Sequence, residues 1–396
     1  MLRRGVEAVE MMRGVLDTGF SGSGKRAESV VRELFEHAGI GFGDSEPGDI
    51  VVHDDRFYER LLRDKSIGLG ESYMDGWWDT NALDILIDKM MRADLKRKIA
   101  GNWRLKLYAA EAMLINRQNM ERSKHSVYAH YDIGNDLYER MLDPRMIYTC
   151  AYWKDADTLE AAQEAKLDRV CRKVGLKPGM KVLDLGCGWG GFAMFAAEKY
   201  GCEVVGYTVS KAQVEIGQKR AKESGLPVDI RCADYREAQG RFDRVVSIGM
   251  MEHIGHKNHR TVMEVIHRTM IDEGVALIHT IGNNRSVTHG TPWVEKYIFP
   301  NAVAPSAAQI ARASEGLFVL EDMQNIGPHY DPTLMAWWDR FDAAYPDLKH
   351  KYDERFYRMW KFYLLGAAGS SRSRDGQLYH FVFSKIGREY PDCRKS

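Results

Sequence analysis

Apolar and polar positions change period along the chain. Leu2, Val6, Val9, Met12 and Leu16 share one helical face, which predicts an amphipathic first helix for packing or membrane contact. The Gly/Ser-rich stretch Thr18 to Lys25 breaks it, and helical spacing resumes from Arg26 to Ala38. The glycine- and aromatic-dense Ser66 to Asp79 reads as a packed turn joining helices. From Arg92 to Lys124, nine basic residues face three acidic ones, interleaved with apolar positions. This pattern fits equally a surface for anionic lipid and a solvated helical face.

Beyond Tyr128 the pattern alternates. A helix over Asp157 to Val174 precedes the short apolar run Val182, Leu183 and Leu185, which ends in glycines before another helix. Further strands are predicted near Glu203 to Thr208, Val228 to Cys232, Phe242 to Ile248, Val275 to Ile281, Phe318 to Asp322 and Leu378 to Ser384. Strands separated by helices predict an α/β fold with a mostly parallel, doubly wound sheet. Ligands in such sheets sit outside the carboxyl ends of the strands, which gathers Asp184, Thr208, Asp234 and Glu252 around one crevice. The aromatic-rich helical segment Thr333 to Gly369 is an insert before the last strand; it serves as a wall for an apolar pocket or as plain core.

The turn after the first sheet strand, Asp184-Leu-Gly-Cys-Gly-Trp-Gly-Gly191, satisfies the dinucleotide glycine pattern through Gly186, Gly188 and Gly191. Two features oppose a dinucleotide. Asp184 would repel a pyrophosphate on the helix terminus, and the ribose-binding acid expected about 20 residues on is absent from Val205-Gly-Tyr-Thr-Val-Ser210. A cationic adenosyl ligand suits an acidic turn, so this stretch resembles the S-adenosylmethionine (AdoMet) site of class I methyltransferases.

Composition narrows the classes. Of 396 residues, 56 are Lys or Arg and 56 are Asp or Glu, so the overall charge gives no case for nucleic acid. Six cysteines lie scattered without zinc or C-x-x-C spacing, which predicts reduced thiols and no metal centre. No apolar run approaches the ~18 residues of a membrane span, and the first residues lack a signal-peptide core, so a soluble cytoplasmic protein is expected.

Several separate stretches together resemble the cyclopropane-fatty-acyl-phospholipid synthase family, bacterial enzymes that add a methylene across the double bond of lipid acyl chains. They are Leu69-Gly-Glu-Ser-Tyr-Met-Asp-Gly-Trp-Trp78, Tyr131-Asp-Ile-Gly-Asn-Asp136, Cys150-Ala-Tyr-Trp153, the glycine turn, Gly249-Met-Met-Glu-His-Ile-Gly255, His279-Thr-Ile-Gly282 and Lys296-Tyr-Ile-Phe-Pro300. The resemblance runs from about Arg32 to Lys385. It implies a helical amino-terminal domain (1–125), with possible membrane or dimer contact, and an AdoMet-dependent catalytic domain (126–396). It also implies a bound bicarbonate base held by the backbone at Cys150 and Ile281 and by the side chains of Glu252, His279 and Tyr330. For AdoMet it points to Tyr148, Thr149, Asp184, Gly186, Gly188, Gly190, Thr208, Val209, Ser210, Gln213, Tyr235, Arg236 and Ile248.

The implied partners are unsaturated phospholipid acyl chains at the inner face of the cytoplasmic membrane, together with a second copy of the chain. An alkene is a weak nucleophile, so methyl transfer leaves a carbocation whose new methyl must lose a proton before a ring closes. That chemistry needs a dry, aromatic-lined channel and one base near the carbon. Two alternatives stay open: the same cofactor chemistry ending in a methyl branch, and a non-catalytic lipid- or AdoMet-binding protein. Some relatives carry a cysteine in the late helix where this chain reads Gly366-Ala-Ala-Gly369, so no covalent cysteine step is available there.

Overall fold

The structure, a computed structural model, describes residues 23–93 and 133–394. The expected first helix, the basic stretch from residue 94 onward, and Tyr131 and Asp132 lie outside them. The chain divides into two compact units, Met1–Tyr128 and Ala129–Ser396.

In the first unit, helices α1 (Ser23–Glu36), α2 (Arg56–Asp64), α3 (Ser66–Met74) and α4 (Leu83–Arg92) accompany a small antiparallel pair, β1 (Val51–Val52) and β2 (Trp78–Asp79). The stretch predicted as a packed turn is therefore a nine-residue helix followed by a strand. Burial overrides the low helix propensity of its glycines: Leu69, Tyr73 and Trp78 enter the core, and the Trp78 indole donates to the Ser72 hydroxyl at 2.9 Å. Arg60 ties α2 to this segment through Glu71 and Asp75 at 2.5 and 2.7 Å.

The second unit is built on a seven-stranded sheet. Its strands are β3 (Lys181–Leu185), β4 (Glu203–Thr208), β5 (Val228–Cys232), β6 (Phe242–Ile248), β7 (Met270–Asn283), β8 (Phe318–Asn325) and β9 (Gly376–Lys385). Their order is β5-β4-β3-β6-β7-β9-β8, parallel except that β9 runs antiparallel to both neighbours.

Strand alternation sends successive side chains to opposite faces. Val182, Val246, Leu277 and Val382 pack with Leu167 and Val170 of α6 (Leu159–Lys173) and with α7 (Gly191–Tyr200). Leu183, Val245, Ile278, Phe381 and Phe383 form the other core, with α9 (His259–Thr269) and α11 (Ala307–Ser314). Apolar runs buried on both faces are what a parallel sheet requires. Between β4 and β5 runs α8 (Lys211–Ser224); a short α5 (Asn135–Met141) precedes α6, and α10 (Pro292–Tyr297) follows β7.

The aromatic segment before β9 is a helical pair, α12 (Tyr330–Leu348) and α13 (Glu354–Arg372), and Asp353 caps the second helix by accepting from the Phe356 amide at 2.7 Å. Phe341, Phe356 and Trp360 are fully buried among one another, and the buried Trp337 packs on Tyr148 and Tyr330. Most of the aromatic load is thus core, and only its edge reaches a cavity.

Candidate active site

Because the chain leaves β3 for β4 and β5 on one side and then crosses back to lay β6 on the other, a crevice opens at the carboxyl ends of these strands. A cavity of about 610 Å³ occupies it, within the range of small-molecule sites. Lining it are Asp184, Gly186 and Gly188 from the β3 turn, Thr208, Val209, Ser210 and Gln213 after β4, and Ile248 and Glu252 after β6. His279 and Ile281 enter from β7, Tyr148, Thr149 and Cys150 from the loop before α6, and Tyr330 from α12. Residues more than a hundred positions apart are thereby gathered at one mouth.

Four expected residues stand elsewhere. Gly190 lies at the start of α7 with φ +80°, packed so closely that a Cβ would lie 2.4 Å from Ile230 Cδ1. Tyr235 is buried in the core against β3 and β4, while Arg236 and Asp234 pair with each other at 2.7 Å; none of these lines the cavity.

The β3 turn supplies the cofactor half. Gly186 has φ +81° and its α-carbon abuts Met250, so an added Cβ would meet the Met250 side chain at 2.9 Å. Asp184 is buried, and neither carboxylate oxygen has a hydrogen-bond partner among the described residues. Burial pushes its carboxyl up to about 7, with Lys166 pulling the other way. A buried, unpaired carboxylate facing a cavity fits a cationic ligand.

Opposite, Thr208 donates to the Gln213 side chain at 2.7 Å, and Ser210 caps α8. Hydroxyl and amide groups therefore stand where the ribose-binding acid is missing.

The other half is apolar with a polar floor. Tyr138, Trp189, Phe299 and Tyr363 join Tyr148 and Tyr330 in the wall, and the Tyr148 and Tyr363 hydroxyls share a hydrogen bond of 2.9 Å. On the floor, Glu252 accepts from the Thr280 hydroxyl at 2.8 Å and from the Ile281 amide at 3.3 Å. His279 bonds through Nδ1 to His380 at 2.9 Å, leaving Nε2 buried without a partner among the described residues. Burial holds its pKa well below the usual value, and so the imidazole is neutral. Burial likewise pushes the Cys150 thiol up to about 12, so it is no thiolate nucleophile.

Sequence reasoning missed Lys166 and His380. Lys166 is fully buried on α6, donates to Thr149 Oγ1 at 2.8 Å, and is pushed down to about 8 by burial. A signal existed: Ala162, Lys166, Val170 and Lys173 fall on one inward helical face, where a lysine is out of place.

This strand order, with an acidic glycine turn at its switch point, defines a class I AdoMet-dependent methyltransferase. The profile of the mycolic acid cyclopropane synthetase family matches residues 118–381, and the chain belongs to that family. It is 49% identical to the cyclopropane-fatty-acyl-phospholipid synthase of Escherichia coli K12, over 90% of this chain and 93% of that one. A probable fatty acid methyltransferase of Pseudomonas putida is 31% identical over 85% of this chain and 86% of its own. Among solved structures, mycolic acid cyclopropane synthase CmaA1 complexed with SAH and CTAB superposes with a TM-score of 0.60 at 33% identity, over 65% of this chain and 97% of that one. The protein is accordingly a methyltransferase enzyme of this family.

Proposed function

We propose that the enzyme transfers a methylene from AdoMet to the double bond of unsaturated acyl chains in membrane phospholipids, closing a cyclopropane ring with bicarbonate as base. The observation that carries this reading is the cavity's division: an unpaired acidic floor at Asp184 beside an aromatic wall that ends on Glu252, His279 and Tyr330. Asp184 offsets the sulfonium charge, and Thr208 and Gln213 meet the ribose. The aromatic faces of Tyr148, Tyr330, Phe299 and Tyr363 tolerate cationic character on the acyl carbon and exclude the water that would quench it.

The polar floor fits bicarbonate, which has one O–H to give and lone pairs to be met. The Glu252 carboxylate suits the first, while the His279 Nε2, the Tyr330 hydroxyl and the main-chain N–H of Cys150 suit the second, and the Ile281 N–H, 3.3 Å from Glu252, is shared between Glu252 and the anion. When bound, bicarbonate supplies the base for the proton that the newly attached methyl must lose. Thr280 and Ile281 hold Glu252 in place for it.

We further assign residues 1–125 to membrane or dimer contact, 126–396 to catalysis, and the working site to the inner face of the cytoplasmic membrane, reached as a peripheral homodimer. Among the described residues no helix is long and apolar enough to cross a membrane.

The test is incubation of the protein with AdoMet, bicarbonate and vesicles of a mono-unsaturated phospholipid, followed by mass spectrometry and proton NMR of the acyl chains. A gain of one CH2, with loss of olefinic protons and shielded ring protons appearing, supports cyclopropanation. The same gain with a methyl branch moves the assignment to a fatty acyl C-methyltransferase, the activity named for the Pseudomonas putida relative. No gain, with AdoMet bound, sinks both.

A further inference from the structure

His380 belongs to no motif, yet it is the hydrogen-bond partner of His279, which lines the cavity. It stands on β9 in register with His279 on β7, and strand alternation points both rings to the face covered by α6. The rings are 5.0 Å apart between centroids and joined by the 2.9 Å contact from His279 Nδ1 to His380 Nε2. Both are buried to within 1% of full enclosure, and each keeps one nitrogen without a partner among the described residues: Nε2 of His279 and Nδ1 of His380.

Two neutral imidazoles joined in this way hold one proton in the bridge and one at an end. The proton sits either at the cavity end, with His380 Nε2–H donating, or at the far end, with His279 Nδ1–H donating.

We infer that His380 is a positioning residue that holds His279 as its Nε2–H tautomer, so that an N–H donor rather than a lone pair faces the cavity. The charges around the pair set the direction. Gln324 on β8 is the register partner of His380, so Arg169 and Lys173, which reach Gln324 and Asp322 from α6, stand on the side of His380 away from His279; of the α6 cations only Lys166 also weighs on His279. Lys173 is paired with Asp322, and Arg169 donates to Gln324 at 2.7 Å, which fixes both cations in place. A proton on His380 Nδ1 would sit at the more positive end, so the bridge and end protons are both displaced toward His279 and the cavity. Burial is the first cause that keeps both rings neutral, and the nearby cations add to it.

The consequence for the site rests on the bicarbonate reading above. An anion there meets an N–H that is already oriented, which the opposite tautomer would deny it.

The experiment uses full-length protein labelled with 15N-histidine, with His380→Gln and His380→Met to assign signals. Long-range 1H–15N spectra of the ligand-free wild type should show a protonated, pyrrole-type Nε2 and a bare Nδ1 on His279. The reverse pattern overturns the inference. In turnover assays His380→Met should raise the half-saturating bicarbonate concentration roughly tenfold, with AdoMet affinity unchanged, while His380→Gln, whose amide can donate to His279 Nδ1, stays within about threefold of wild type. Equal impairment of the two variants, or none in either, reduces His380 to packing and overturns it as well. If wild-type turnover ignores bicarbonate, the base assignment fails, and the tautomer spectrum still decides the role of His380.

Discussion

Two carboxylates in one cavity have opposite surroundings, and they should behave differently. Glu252 is held by Thr280 and the Ile281 amide, so Glu252→Gln keeps the shape of the floor but removes its charge. With proton removal compromised, kcat is expected to fall by about 10²–10⁴ while AdoMet affinity, measured by calorimetry, stays constant. Asp184 has no such partners and holds its proton up to about pH 7. Between the ordinary carboxylate pKa and that value the folded state is protonated where the unfolded state is not. This group's contribution to stability is therefore greatest at low pH and is lost as pH rises toward 7. A bound cation restores the carboxylate and expels that proton. AdoMet binding should release close to one proton at about pH 5.5 and almost none at about pH 8.5, read by calorimetry in buffers of different ionisation heat. Release that does not vary with pH would assign the charge balance to another group.

At the scale of elements, the glycine turn connects sequence most directly to fold. Gly190→Ala should cost about 1–3 kcal/mol, because it puts a Cβ into Ile230 at a positive φ. Thermal unfolding should shift down by about 2–4 °C for each kcal/mol. Much of this level was legible beforehand. Glu203 to Thr208, Val228 to Cys232 and Phe242 to Ile248 are strands with the predicted ends, because apolar runs bounded by glycine, proline and charge are local signals. Where β7 extends back to Met270, the polar Asp272 and Glu273 concealed it. Ser66–Met74 became a helix through burial that a local pattern does not contain. The site was legible where a motif marked it, as at Asp184. Lys166 was passed over although its inward helical face marked it, whereas His380 was not legible, since it owes its place to His279 across a strand pair far along the chain.

At the scale of the whole molecule, the phospholipid substrate proposed above calls for contact with a bilayer. If the basic stretch meets anionic lipid, exchanging Lys96, Arg97 and Lys98 for Gln should weaken binding to anionic vesicles by about 1 kcal/mol per charge removed. A vesicle co-sedimentation assay measures it, and unaltered binding would leave that stretch a solvated face. The sheet imposes a different constraint, one of time. The strand β9 is the last to be made, yet it lies between β7 and β8, both of which precede it in the chain. During synthesis the AdoMet cradle at β3 and β4 can assemble from residues already outside the ribosome, while a strand-wide gap persists between β7 and β8. Only when the final segment threads into that gap does His380 reach His279, so a nascent chain can shape its cofactor turn well before the floor around His279 is complete.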